Sequence, residues 1–84
     1  KQYFKKNNDK FNLIFLDPPY NFKDYESLVN ALIDKLEDNG KIVLELEFKT
    51  IIDLEKINLD VIKNKKYGIK RIIVFNKPLS LVNM

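Results

Sequence analysis

The sequence predicts an α/β fold in which parallel strands are followed by a terminal antiparallel hairpin. Three observations lead there. A nearly unbroken apolar run, Phe11 to Leu16, stops at Asp17-Pro18-Pro19. An amphipathic stretch follows over 25–38, and two strand-like stretches then flank Tyr67-Gly68.

Residues 1–10, KQYFKKNNDK, are polar and read as the end of a helix followed by a turn. Phe11 to Leu16 is too short for a buried helix and is bounded by proline, so it reads as a strand buried on both faces. The double proline cannot continue a strand ladder, and the chain leaves the sheet there. Over 25–38, Tyr25, Leu28, Val29, Leu32, Ile33 and Leu36 recur at the spacing that lines one face of a helix. Asp24 is its expected N-cap, and Asn39-Gly40 supplies the left-handed residue expected to close it. Ile42 to Leu46, IVLEL, reads as a second buried strand. Residues 49–59 carry Ile51, Ile52, Leu54, Ile57 and Leu59 in a pattern that allows a short helix or irregular packing. Leu59 to Lys66 and Ile69 to Phe75 then form the hairpin around Tyr67-Gly68. Residues 78–84 show no firm period.

This order places a strand, a helix and a parallel strand in sequence, which implies a right-handed crossover. Two doubly buried strands need helices on both faces, yet few are supplied. With Lys1 in place of an initiator methionine, that deficit reads as part of a longer protein.

Composition narrows the chemistry. The 84 residues are 45% hydrophobic and 32% charged, as in soluble globular proteins. Cys 0 excludes a disulfide framework and a thiolate metal site, and suits a reducing, cytoplasmic setting. His 0 removes the usual general base and the commonest transition-metal ligand, so no metal site is expected. No apolar run approaches the ~20 residues of a membrane span. The net charge of +3 is mild, but Lys63, Lys65, Lys66, Lys70, Arg71 and Lys77 crowd the last third with no acidic residue among them. Such a basic face suits a phosphate backbone, though on charge alone the plainer reading is a solvated surface in a Lys- and Asn-rich composition.

Asp17-Pro18-Pro19-Tyr20 carries the chemistry. It follows a strand, and ligands of open α/β sheets bind at the carboxyl ends of strands. An exocyclic amine on a base is a poor nucleophile because its lone pair is delocalised into the ring. Acceptors aimed at its two N–H groups favour a tetrahedral nitrogen and stabilise the charge that develops on methyl transfer. Asp17 offers a carboxylate, and Pro18 a carbonyl held by the fixed proline φ. Tyr20 offers an aromatic face for a flipped-out base. A simple strand-terminating turn would use the same tetrapeptide, but its place at the end of an apolar strand favours the site.

The stretch Phe11-Asn12-Leu13-Ile14-Phe15-Leu16-Asp17-Pro18-Pro19-Tyr20 resembles the FDLIFLDPPY segment of the RsmD family. Those enzymes use S-adenosylmethionine (SAM) to methylate N2 of a guanine in small-subunit ribosomal RNA. The likeness runs from about Phe11 to Lys77: the amphipathic helix, Asn39-Gly40, a strand ending in Glu45, then Lys66-Tyr67-Gly68 leading into a last strand. Asn12 departs from the family's usual Asp. The resemblance implies the C-terminal half of a Rossmann-like class I SAM methyltransferase sheet, with residues 1–84 a partial domain and the N-terminal SAM-binding half absent. It implies catalytic roles for Asp17, Pro18 and Tyr20, and a loop-fixing, substrate-side role for Pro19. Asp17 would touch the cofactor only in part. Glu45 either faces the substrate or pairs with a lysine. Phe22 reads as a lid over the base or as core, and Tyr67 as a packing residue at a turn.

The partner so implied is ribosomal RNA or the small ribosomal subunit, with no membrane. A DNA adenine-N6 methyltransferase shares the Asp-Pro-Pro-Tyr motif and stays open, as does a non-catalytic nucleic-acid-binding remnant. With its neighbouring half gone, strand 11–16 is expected to present an open apolar edge through which two copies pair as a homodimer.

Overall fold

The computed structural model describes residues 10–18 and 22–78 in full, and residues 2–5 as backbone. Among them lie β1 (Gln2–Lys5), β2 (Phe11–Leu16), α1 (Tyr25–Ala31), a 3-10 turn (Ile33–Lys35), β3 (Leu36–Glu47), a second 3-10 turn (Leu54–Lys56), β4 (Asp60–Tyr67) and β5 (Lys70–Asn76). The strands form one sheet in the order β1-β2-β3-β5-β4. β2 and β3 are parallel, joined through α1, and every other pairing is antiparallel. The expected α/β class and terminal hairpin are both present. The hairpin folds so that its second strand, β5, lies against β3 and β4 becomes the edge.

The expected N-cap forms, with Asp24 Oδ1 accepting from Ser27 N at 3.1 Å. From there α1 buries Tyr25 and Val29 against the sheet, and Leu28, Leu32 and Ile33 pack alongside. The segment after β3 covers the same face with Ile57 and Leu59. Two α1 side chains hold it down. Glu26 Oε2 accepts from Asp53 N at 2.7 Å, and Asn30 both donates to Lys56 O at 2.8 Å and accepts from Asn58 N at 3.0 Å. Beneath this cover Ile14, Leu36, Ile42, Leu44, Ile73 and Phe75 lose all exposure. Each such side chain contributes about 1.5–3 kcal/mol.

Six expectations need correction. Residues 2–5 are a strand, not a helix end, and β1 occupies the edge of β2 that was expected to be open, pairing Gln2 with Phe15 and Phe4 with Leu13. Tyr3 and Phe4 are strand-favouring types, and an unpaired backbone edge next to them is costly. A homodimer through strand 11–16 therefore has β1 in its way. The helix ends at Ala31 rather than 38, because Leu36 already pairs with Phe11 as the start of β3. Asn39-Gly40 is consequently not a helix cap but a kink inside β3. Asn39 takes the left-handed φ of 63°, and Lys77 clamps the kink through Asn39 N to Lys77 O at 3.0 Å and Lys77 N to Gly40 O at 2.9 Å. Nor are β2 and β3 buried on both faces. Ile14 and Leu16 are buried while Phe15 is 37% exposed. Finally, Tyr67 is exposed rather than packed, with Lys65 Nζ 6.0 Å from its ring centre.

Gly68 makes the hairpin turn with φ of 62°, a conformation that strains other residues. At the outer edge, β4 is exposed throughout and carries Lys63, Lys65 and Lys66, charges that discourage edge-to-edge pairing.

Candidate active site

Register builds the site. Leu16 pairs with Leu44 in parallel, so the next residues of each strand, Asp17 and Glu45, emerge together at the carboxyl end of the sheet. They line a cavity of about 160 Å³ with Pro18, Tyr25, Leu46, Glu47 and Lys70. Each strand or helix contributes at its end: Asp17-Pro18 where proline terminates β2, Tyr25 at the first turn of α1, Glu45 to Glu47 at the end of β3, and Lys70 at the start of β5.

Asp17 is exposed, and Pro18 is half-buried. Across the cavity, Lys70 Nζ stands 3.9 Å from Glu45 Oε2, with both side chains 43% exposed. An ion pair so exposed adds only about 0–1 kcal/mol, but it biases where the Glu45 carboxylate rests. Tyr25 is 4% exposed. Burial pushes its hydroxyl above the usual 10.0, the Glu47 charge adds to that, and a hydrogen bond with Thr50 opposes it. At physiological pH it is a neutral phenol, able to donate one hydrogen bond.

The structure thus brings Asp17, Pro18 and Glu45 together. Phe22 packs edge-on against Tyr25, ring centres 5.3 Å apart at 69°, and does not line the cavity. That favours its reading as core. Pro19 and Tyr20 lie outside the described residues. Sequence reasoning missed Tyr25, Glu47 and Lys70 as site residues. Tyr25 was absorbed by the helical stripe. Glu47 could have been found by alternation from Glu45, whereas Lys70 is adjacent only because β5 inserts beside β3.

What the arrangement can do follows from its donors and acceptors. Asp17, Glu45 and Glu47 accept hydrogen bonds at one mouth, with a single ammonium and a phenol beside them. Among the described residues no group of three or more His, Cys, Asp or Glu is placed to hold a metal ion. Neither glycine opens onto this cavity. At Gly40 a Cβ would meet Glu37 O at 2.8 Å, and Gly68 lies in the hairpin turn. A glycine-rich cradle for a nucleoside cofactor is therefore not formed by the described residues that line this cavity.

The family model described as Conserved hypothetical protein 95 matches residues 1–76. The "Uncharacterized methylase RP545" of Rickettsia prowazekii (strain Madrid E) is 36% identical over 77 residues, which is 88% of this chain and 32% of that protein. A solved "conserved hypothetical protein" from Streptococcus pyogenes superposes with a TM-score of 0.71 at 31% identity, over 81% of this chain and 44% of the other. The structure named "putative methylase HI0767", from Haemophilus influenzae, superposes with a TM-score of 0.64 at 29% identity, over 90% of this chain and 48% of the other. The chain spans about a third of the length of the curated relative it matches.

Proposed function

This chain belongs to the Conserved hypothetical protein 95 family, and from that premise we propose that it is the amine-holding half of a SAM-dependent methyltransferase. The longer protein methylates N2 of a guanine in small-subunit ribosomal RNA, in the cytoplasm. The methylase names of its relatives support the reaction class. One observation carries the assignment to residues: Asp17 and Pro18 open, at the carboxyl end of β2, onto the cavity that Glu45 and Tyr25 share.

In this reading the target amine donates one N–H to the Asp17 carboxylate and the other to the Pro18 carbonyl. Both acceptors draw the nitrogen towards a tetrahedral geometry and free its lone pair for attack. As the nitrogen becomes positive, the carboxylate stabilises it more strongly than it did the neutral amine, which is the condition for a rate gain. The nitrogen then loses a proton to Asp17, which is exposed and passes it to water. Lys70 holds Glu45 to one side and keeps a second carboxylate from competing for the base. Tyr20, outside the described residues, supplies the stacking face. SAM, when bound, would supply the methyl group and leave as the neutral thioether, and residues other than those lining this cavity would form its cradle.

The test is Asp17→Ala in the full-length protein, assayed with tritiated SAM on small-subunit RNA. Turnover is expected to fall by roughly 10²–10³-fold while SAM affinity holds, by analogy with the loss of one oxyanion-type donor. Equal turnover in the variant and the parent overturns the role of Asp17. Methyl groups recovered on adenine N6 of DNA would reassign the substrate and leave the acceptors in place.

A further inference from the structure

The hairpin end of the sheet carries a second cavity, about 410 Å³, lined by Glu47, Phe48, Lys49, Lys66, Gly68 and Ile69. It adjoins the Asp17 cavity, since Glu47 lines both. One wall is an aromatic ring. Phe48 is 45% exposed and does not contribute to the buried core, so packing does not account for it. Its backbone is nevertheless fixed, Phe48 N donating to Ile69 O at 2.7 Å. Cations gather on that ring. Lys66 Nζ stands 4.5 Å from its centre and Arg71 Cζ 5.8 Å. Lys66 and Arg71 are cross-strand partners, and Arg71 Nη2 is tied to Thr50 O at 2.8 Å.

An exposed ring on a hydrogen-bonded backbone, with lysine ammonium groups lining the same cavity, has the two components that hold a single-stranded nucleic acid. Every base has a π-face to stack, and the lysines meet the backbone phosphates. We propose that this cavity binds the nucleotide next to the target base in single-stranded RNA, its base on Phe48 and its phosphates on Lys49 and Lys66. The proposal rests on the RNA methyltransferase reading above and extends it to a neighbouring subsite. The exposed Lys66 ammonium is the ring's present companion. A base that takes its place releases it to a phosphate, while Arg71, tied to Thr50, stays and braces the ring. The Glu47 carboxylate forms the partition. It repels phosphate, so the backbone is steered to the lysine side and the target base to the Asp17 side.

The experiment is fluorescence anisotropy of the full-length protein with a fluorescein-labelled single-stranded oligoribonucleotide. Phe48→Leu is expected to weaken binding roughly 5- to 150-fold, the range found for losing one stacked base, and Phe48→Trp to restore it. Lys66→Gln should weaken binding and reduce the slope of log affinity against log salt by about 0.7, as for one lost phosphate contact on a single strand. An abasic oligomer should bind the parent as weakly as intact RNA binds Phe48→Leu. Equal affinity of parent, Phe48→Leu and Lys66→Gln overturns the proposal. So does equal binding of abasic and intact oligomers, or displacement of RNA by polyglutamate at equal charge, which marks an acidic-peptide site. Phe48-dependent binding in a protein that transfers no methyl group would leave this surface standing and remove the catalytic reading instead.

Discussion

Both faces of the sheet carry apolar side chains, and those side chains end in different states. On one face Ile14, Ile42, Leu44, Ile73 and Phe75 are fully buried. On the other, register places Leu13, Phe15, Val43, Ile72 and Val74 side by side, and all of them keep some exposure. Charge separates them in part, since β3 turns Lys41, Glu45 and Glu47 to the second face, but Leu13, Phe15, Val43, Ile72 and Val74 are as apolar as their buried neighbours. The difference is the layer above: α1 and the segment after β3 cover the first face, bound to each other through Glu26 and Asn30. Burial in a sheet is decided by what the connections lay across it, since an apolar side chain is stabilised only where water is displaced.

The strongest way to break this comparison is a matched pair of truncations. Leu44→Ala, on the covered face, is expected to cost about 2–5 kcal/mol, the range for a buried leucine. Val43→Ala, its neighbour on the other face, should cost less than about 1 kcal/mol. Urea unfolding followed by circular dichroism measures both, and equal losses would mean that something also covers the Val43 face in solution.

A smaller effect sharpens the picture at the kink. Gly40→Ala adds a methyl that would sit 2.8 Å from Glu37 O and 3.0 Å from Leu36 Cδ2, at the margin of the covered core. Overpacking of this kind costs roughly 1–3 kcal/mol, so the same unfolding assay should show a lowered midpoint. A midpoint unchanged from the parent would show that the kink yields freely.

The smallest effect concerns Tyr25, where the covered face meets the candidate site. Tyr25→Phe removes a nearly buried hydroxyl, with an expected cost of about 1 kcal/mol or less. It also changes the pH profile. Folding raises the phenol pKa above 10.0, mainly by burial, so the folded state holds this proton more tightly than the unfolded chain. The associated stability is complete below about pH 10 and is lost as pH rises through the folded value. Unfolding midpoints taken from about pH 8 to about pH 11 should fall more steeply for the parent than for Tyr25→Phe. Parallel profiles would refute the link.

Much of this was legible in the sequence, for reasons that can be named. Asp24 capped its helix because capping is local. Gly68 made its turn because few residues adopt a φ of 62°. The parallel β2–β3 pair followed from two short apolar runs with a helical stripe between them. Asp17 and Pro18 could be placed at the carboxyl end of β2 because proline marks where a strand must end. What escaped depended on partners far along the chain. Leu36 continues the helical stripe by spacing, yet a strand partner at Phe11 and the carbonyl contacts of Lys77 Nζ with Ile33 O and Leu36 O claim that region for the sheet. Apolar runs such as Phe11 to Leu16 read as buried on both faces because an apolar side chain does not reveal which face receives a covering layer. The cation cluster around Phe48 needed Lys66 and Arg71 brought opposite each other, which no local pattern encodes.

The kink at Asn39-Gly40 acts at a distance. β3 advances from Leu36 to Lys41 while β2 advances only from Phe11 to Leu13, so the intervening residues are looped out before regular pairing resumes. That slack sets the phase of everything downstream. Removing one residue between Glu37 and Gly40 would shift the pairing by one, and a one-residue slip turns each later side chain to the opposite face. Leu44 would then point away from the helix, and Glu45 would be driven into the apolar layer, away from Asp17. The kink at one end of β3 is in this sense a gauge for the other end, fixing which carboxylates meet.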